Sequence, residues 1–421
     1  MSRVHLVTLG CPKNEVDSEK LLGRLAAEGY ETTDDAEGAD LVVVNTCAFI
    51  EEARQESIDT VLGLADVKAD GSRLVVTGCM AERYRDELAQ ALPEVDVVAG
   101  FGEAFTEARA GDVGVPVSIG SKPAVPAFDL LNLPRPRSTR PWAYVKVAEG
   151  CDRACGFCAI PSFRGPQRSR SIDSIVEEVE ALQVREVVLV AQDLAAFGRD
   201  QGVGERSIVP LVEAVSARVD RTRLLYLYPS DLTDALIDAI CATGVPYFDL
   251  SLQHVSAPLV RRMRRWGNGE KFPARIADIR ARQSDAAFRS NFIVGYPGET
   301  EEDHDQMLAF VEEAQLDWCG FFAYSAEDGT HAADLDGQVP RSLAAERLAE
   351  LGELQDEITG RKRDLLVGSK VTVLVDTVGS GRSHREAPEI DGIISVPETL
   401  PVGTVHDLTV TGAAGPDLEA S

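Results

Sequence analysis

No stretch of this chain approaches the roughly 18 consecutive apolar residues that a membrane-crossing helix requires, so no membrane span is expected. The opening MSRVHLVTLGC lacks the apolar core and small-residue cleavage site of a secretory signal, which points to a cytoplasmic protein. Basic residues are scarce: 42 Lys and Arg stand against 69 Asp and Glu, for a net charge of −27. Nucleic-acid affinity rests largely on Lys and Arg displacing counterions from phosphate, so little direct nucleic-acid binding is expected. Acidity of this degree fits either simple solubility and a high-salt or acid-biased proteome, or a basic protein partner, and charge alone does not choose. Internal repeats and low-complexity segments are lacking too. Disulfides are not expected from the eight cysteines, because the cytoplasm keeps thiols reduced. Metal binding or catalysis is the better use, provided the spacing supports it.

What is present is the composition of a globular enzyme, with 44% hydrophobic and 26% charged residues over 421 positions, enough for two or three domains. Residues 1–115 alternate β-branched runs (VHLVTLG at 4–10, DLVVVNT at 40–46, RLVVTG at 73–78) with helical stretches. That alternation predicts a parallel sheet covered by helices. A proline-rich linker follows over 116–136, its prolines continuing to Pro141 in SIGSKPAVPAFDLLNLPRPRSTRP (118–141). A second α/β series over 137–358 offers six strand candidates, at 142–148, 186–192, 223–229, 247–253, 291–296 and 317–325. Six βα units make an open or partial barrel, not a closed eightfold one. From 360 to 421, KVTVLVD, GIISVP and TVHDLTVTG are short strands without intervening helices, which predicts a small antiparallel β-barrel.

Two cysteine groups carry the chemistry. EGCDRACGFCAIP places Cys151, Cys155 and Cys158 in a C-x3-C-x2-C spacing directly after the first strand of the second series. Three thiolates on one tight loop can hold three corners of a cubane cluster and leave one iron open to an exogenous ligand. A zinc knuckle would want a fourth Cys or His at short spacing, and none is there. Cys11, Cys47 and Cys79 instead lie far apart in sequence, in TLGCPKN, VNTCAFI and VTGCMAE, yet each follows a β-run and precedes a helical stretch. In a parallel sheet such strand ends share one edge, so three loops converge there. Small neighbours (Gly10, Thr46, Gly78) would let the backbone approach a bulky ligand. The bland alternative is three small buried hydrophobes.

The first group, with Phe157 before its last cysteine, resembles the radical S-adenosylmethionine (SAM) superfamily signature C-x3-C-x-aromatic-C. The resemblance implies that the open iron chelates SAM and that one electron from the cluster releases a 5′-deoxyadenosyl radical. Gly295, Pro297, Gly298 and Glu299 in NFIVGYPGET match that superfamily's fifth-strand motif, whose backbone lies near the adenine. The three-loop group joined to the radical motif resembles the methylthiotransferases over essentially the whole chain. This implies a second [4Fe-4S] cluster on Cys11, Cys47 and Cys79 that delivers sulfur, a methyl group from a second SAM, and a TRAM domain at the C-terminus. Within that family, GRSHREAPEIDGIISV, VAQDLAAFGRD, SLQHVSAPLVRRMRR and FFAYSAEDGT look like the RimO branch. That branch modifies the β-carbon of an aspartate in ribosomal protein twelve of the small subunit. Glu327 and Asp328 stand where the tRNA-modifying branch has a basic strand end, while Trp266, Gly267 and Asn268 depart from the expected text. From residue 365 onward there are three basic residues (Lys370, Arg382, Arg385) against eight acidic ones, which repels phosphate and suits a Lys- and Arg-rich protein loop. An electron donor such as flavodoxin or ferredoxin is implied as a partner.

The remaining candidates have plainer expectations. Gln192 and Asp193 end the second barrel strand, where they meet cofactor or substrate or else cap the loop. Arg261, Arg262, Arg264 and Arg265 read as a solvated helix face, and Cys241 and Cys319 as structural. His254 reads as a satisfied polar side chain rather than a proton donor. The competing functions are methylthiolation of a modified adenosine in tRNA, and a non-catalytic iron–sulfur regulator.

Overall fold

A computed structural model describes residues 2–106, 128–201 and 208–421. These fall into two compact units. The first takes the described residues up to Arg137 together with Glu149–Asp152 and Ala159–Arg170. The second takes Ser138–Ala148, Arg153–Cys158 and Ser171–Ser421.

In the first unit, β1 (Ser2–Thr8), α1 (Pro12–Ala27), β2 (Tyr30–Thr32), β3 (Leu41–Thr46), α2 (Glu51–Val67), β4 (Arg73–Gly78), α3 (Cys79–Ala91) and β5 (Val97–Val98) follow one another. The sheet order is β2-β1-β3-β4-β5 and every pairing is parallel. Strand β3 is buried along its whole length, as its unbroken apolar run LVVV requires of a strand covered on both faces. Val42, Val44, Leu74 and Val76 pack against Val61 of α2 and Leu88 of α3. The alternate residues Leu41, Val43 and Val75 pack against Leu21 and Leu25 of α1. The short strands β2 and β5 have no alternating signal in the sequence. Pro116, Pro123 and Pro126 of the expected linker lie outside the described residues. The segment from Phe128 on belongs to the first unit, where the Leu131 carbonyl accepts from a buried Lys20 and Arg135 pairs with Glu19.

The second unit opens with β6 (Trp142–Lys146). The two-residue strands β7 (Ala148–Glu149) and β8 (Arg168–Ser169) and the single-turn helix α4 (Ile160–Arg164) flank the cysteine loop along the chain. Strands β9 (Glu186–Val190), β10 (Arg221–Leu224), β11 (Tyr247–Gln253), β12 (Ala287–Val294) and β13 (Trp318–Ala323) complete the expected six, alternating with helices. They form two parallel three-stranded sheets, β6-β9-β10 and β11-β12-β13. A single parallel bridge, Leu227 to Leu250, joins the two into an open arc. The ladder thins there because Tyr226 adopts φ +66°, so the run expected at 223–229 stops as a strand at Leu224. Outward-facing Val145, Val187, Leu189, Leu224, Phe248 and Phe288 share one core with the helices.

The helix Arg341–Asp364 leads to a closed barrel in the order β14 (Lys370–Thr377), β15 (Ser380–Arg382), β16 (Ile394–Ser395), β18 (Asp417–Ala420), β17 (Val405–Ala414). All its pairs are antiparallel except β16 with β18. The segment between β15 and β16 reaches side chains on the inner face of the arc. Tyr144 donates to the Pro388 carbonyl at 2.9 Å, Arg223 to the His384 carbonyl at 2.9 Å, and Trp318 Nε1 to the Arg385 carbonyl at 2.6 Å. The buried Glu186 accepts from Arg221, Arg223 and the barrel's Arg382 at 2.9, 2.8 and 3.3 Å. No helix of the described residues is long and apolar enough to cross a membrane.

Candidate functional site

In the first unit the three distant cysteines stand at the C-terminal ends of three neighbouring strands. Cys11 is the N-cap of α1 after β1, Cys47 follows β3, and Cys79 opens α3 directly after β4. Thr46 and Gly78 are paired in register, so Cys47 and Cys79 leave the sheet side by side. Gly10, at φ +94°, passes so near that a Cβ would lie 2.8 Å from Cys47 Cβ and 2.9 Å from its Sγ.

Asn14, fully buried on the first turn of α1, ties the loops together. Its Nδ2 donates to the carbonyls of Leu9 and Thr46 at 2.9 and 3.0 Å. Its Oδ1 accepts from Arg164 at 2.7 Å and lies 3.5 Å from Cys79 Sγ. Arg164 Nη2 also reaches Cys79 Sγ at 3.1 Å, while Nη1 meets Glu149 at 2.7 Å and Asp17 at 3.3 Å. The guanidinium lies over the Phe101 ring, 4.5 Å from its centre. Burial pushes the Cys47 thiol up to about 12, with Cys79 adding to the effect, and burial likewise raises Cys79. At Cys11 burial also pushes upward, but Lys13 and Arg164 outweigh it and the net direction is down.

The loop Cys151–Cys158 follows β6 and β7, as expected from the sequence. Cys151, counted with the first unit, donates its backbone N–H to the Gly165 carbonyl at 3.1 Å. In the second unit Gly156 donates to the Met263 carbonyl and accepts from Ala332 N–H, both at 2.8 Å. Phe157 packs on Leu259, Met263, Tyr296 and Ala332. Arg265 donates to Cys155 Sγ at 3.0 Å, and its guanidinium lies 4.2 Å from the centre of the Tyr228 ring. Arg153 stacks on the same ring at 3.9 Å. Arg262 pairs with Asp336 at 2.6 Å. The expected solvated arginine face therefore holds only for Arg261 and Arg264, which are exposed; the chain turns sharply at Arg264, φ +56°, and swings Arg265 back over the loop.

Gly295, Pro297, Gly298 and Glu299 form the turn after β12. Gly295 has φ +78°, and a Cβ there would stand 2.9 Å from Ala344 Cβ. The buried Glu299 carboxylate accepts from the backbone N–H of Gly295 at 2.7 Å and from Arg347 at 2.8 Å, so it fixes the turn from within. Burial raises its pKa against those donors. Gln192 lies just beyond β9. Asp193 is buried, precedes the turn Leu194–Ala196 and accepts from Arg153 at 2.5 Å, which pairs it within the unit. His254 is buried, accepts the Ser256 N–H at 3.0 Å and is pushed down to about 4 by burial, so it is a neutral, satisfied ring. Cys241 and Cys319 pack against the hydrophobic core of the second unit.

Among the described residues no three His, Cys, Asp or Glu side chains close on a single ion. A cubane spreads its thiolate ligands over separate irons, so its triad stands wider than the cage of one ion. The donor set fits that need: three thiols, small neighbours and a buried hydrogen-bonding shell. Sequence reasoning missed Asn14, Arg153 and Arg164, and read Arg265 as part of a solvated helix face. Asn14, Arg153 and Arg164 lie within six residues of a cysteine, which singles out nothing by itself, and Arg265 lacks even that signal.

Three family models match the chain: Uncharacterized protein family UPF0004 over residues 3–100, the radical SAM superfamily over 145–311 and the TRAM domain over 367–421. Ribosomal protein uS12 methylthiotransferase RimO of Kineococcus radiotolerans is 42% identical, over 99% of this chain and 96% of its own length. The protein of the same name from Cutibacterium acnes is 40% identical, over 99% and 97%. Among solved structures, the radical SAM methyltransferase TsrM from Kitasatospora setae, with tryptophan substrate and a SAM analogue bound, matches with a TM-score of 0.50. It is 17% identical over 76% of this chain and 73% of its own, a likeness of fold alone.

Proposed function

The chain belongs to the RimO family of radical SAM methylthiotransferases, and from that membership we propose that it places a methylthio group on the β-carbon of an aspartate in small-subunit ribosomal protein uS12. The observation that carries this reading is the pairing of two cysteine triads. One sits at three neighbouring strand ends of the first unit, and the other is a C-x3-C-x2-C loop after a barrel strand. In this reading Cys151, Cys155 and Cys158 hold one [4Fe-4S] cluster and Cys11, Cys47 and Cys79 a second. When bound, the first supplies with SAM the radical that removes the substrate hydrogen, the second supplies sulfur, and a second SAM supplies the methyl group. Flavodoxin or ferredoxin is the proposed class of electron donor, and the cytoplasm the proposed location.

The chain's own residues bind and orient. Phe157 and Gly156 anchor the cysteine loop on Met263 and Ala332. The Gly295–Glu299 turn, held by Arg347, offers its backbone to the adenine end of SAM. Arg153 holds Asp193 with Gln192 beside it, facing cofactor or substrate at the end of β9. The proposed division is a methylthiotransferase domain over 1–115, a linker over 116–136, a radical SAM core over 137–358 and a TRAM domain over 360–421.

Charge supports a basic protein substrate over tRNA. Of the three basic residues in the C-terminal barrel, Arg382 is buried against Glu186 and Asp376, and Arg385 pairs with Asp285. Lys370 is exposed, as are Glu389, Glu398, Asp407 and Glu419. A surface so composed attracts a Lys- and Arg-rich loop and repels phosphate. The test is mass spectrometry of uS12 from cells with and without the gene. Gain of one methylthio group on an aspartate, only with the gene, is the expected result. An unchanged aspartate, together with salt-sensitive tRNA binding by the protein, would overturn the substrate assignment.

A further inference from the structure

Arg164 stands six residues after Cys158 but belongs to the site of the other triad. It is 8% exposed and uses both edges of its guanidinium. One edge, Nη1, meets the carboxylates of Glu149 and Asp17 at 2.7 and 3.3 Å. An arginine serving only as a structural ion pair would be complete with these two. The other amino group, Nη2, meets Cys79 Sγ at 3.1 Å and Asn14 Oδ1 at 2.7 Å. Through Asn14 the same group is tied to the carbonyls of Leu9 and Thr46, in the chain segments that deliver Cys11 and Cys47. The Phe101 ring covers the guanidinium at 4.5 Å and restricts water. One planar, permanently charged group thus touches one thiol directly and braces the loops of the other two.

We propose that Arg164 is a positioning residue for the N-terminal cluster, donating an N–H···S bond to the iron-bound Cys79 sulfur and, through Asn14, fixing the spacing of all three ligand loops. This rests on the reading that Cys11, Cys47 and Cys79 carry a cluster. Hydrogen bonds to ligand sulfurs are one of the levers by which a protein sets cluster potential, and each one withdraws electron density from the iron and raises the potential. The carboxylates of Glu149 and Asp17 keep the guanidinium from rotating away. Arg164 therefore acts on the sulfur-donating cluster and not on SAM cleavage, although its position in the sequence adjoins the radical motif.

The experiment uses the full chain with Cys151, Cys155 and Cys158 changed to alanine, so that only the N-terminal cluster remains after anaerobic reconstitution. Its midpoint potential is followed by electron paramagnetic resonance during redox titration, and its retention by the rate of iron loss to a chelator. Arg164→Gln lowers the potential and speeds iron loss, and Arg164→Lys, which keeps the charge but not the fork, falls between. Because Arg164→Gln strands the buried Asp17 and the half-buried Glu149 carboxylates, the combined variant Arg164→Gln, Asp17→Asn, Glu149→Gln is measured alongside it, with thermal melting as the check on folding. An unchanged potential and iron-loss rate in the folded combined variant overturns the proposal. Failure of the Arg164-intact protein to take up iron is a different result, and it overturns the cluster reading itself.

Discussion

At the scale of single residues, the N-terminal triad depends on how close the backbone comes to the thiols. Gly10 is held at φ +94° with Cys47 against its missing side chain, so Gly10→Ala forces the loop away from the triad. We expect that variant to lose about half of the reconstituted iron while cleaving SAM as well as the parent, measured by iron assay and 5′-deoxyadenosine release; full iron retention would refute the packing argument. The six cysteines were legible in the sequence because their message is local: a fixed spacing in one triad, and the same strand-then-helix position in the other. Arg164 was not, because its partners Asp17 and Cys79 are far away in the sequence and only the folded sheet gathers them. Arg265 was misread for a related reason. Four arginines within five positions look like a helix face, and nothing in that text announces the left-handed turn at Arg264 that brings one of them back to Cys155.

At the scale of elements, the turn after β12 is held by a buried pair, Glu299 with Arg347 of the helix Arg341–Asp364. Removing one partner of a buried, hydrogen-bonded pair leaves the other uncompensated, at a cost of about 3–5 kcal/mol. Glu299→Ala should therefore lower the melting temperature and weaken SAM binding together, while Glu301→Ala, at the exposed end of the same arginine, should change either only slightly. Equal effects of the two would show that the turn is not what Arg347 supports. The strands of both units were readable where burial imposes runs of β-branched, aromatic or aliphatic residues: β4 and β11 begin and end where the sequence suggests. The two-residue β5 and three-residue β2 are too short to carry a period. The end of β10 depends on a single backbone angle at Tyr226, which no side-chain pattern encodes.

At the scale of the whole molecule, the C-terminal barrel and the open arc form one compact unit because the segment Ser383–Asp391 hydrogen-bonds inside the arc. The sequence suggested separate small domains but could not show that three of its charged residues, Arg382, Glu386 and Asp391, turn inward. Asp391 accepts from Tyr247 at 2.6 Å and lies 3.5 Å from Arg289, yet burial pushes it from 3.8 up to about 6. A carboxyl raised in the folded state binds its proton more tightly there, so its contribution is complete below about 3.8 and is lost as pH rises through about 6. Asp391→Asn should therefore gain stability relative to the parent between about pH 4 and about pH 7, by up to about 3 kcal/mol in denaturant titrations. A pH-independent difference would contradict that assignment. Whether one enzyme carries two cluster-bearing triads is decided by counting iron and sulfide in the anaerobically reconstituted parent and in the variant with Cys11, Cys47 and Cys79 changed to alanine. The variant should hold half the parent's load, still release 5′-deoxyadenosine, and transfer no methylthio group to uS12. A variant that keeps the full load, or a parent that holds no more than the variant, would contradict it.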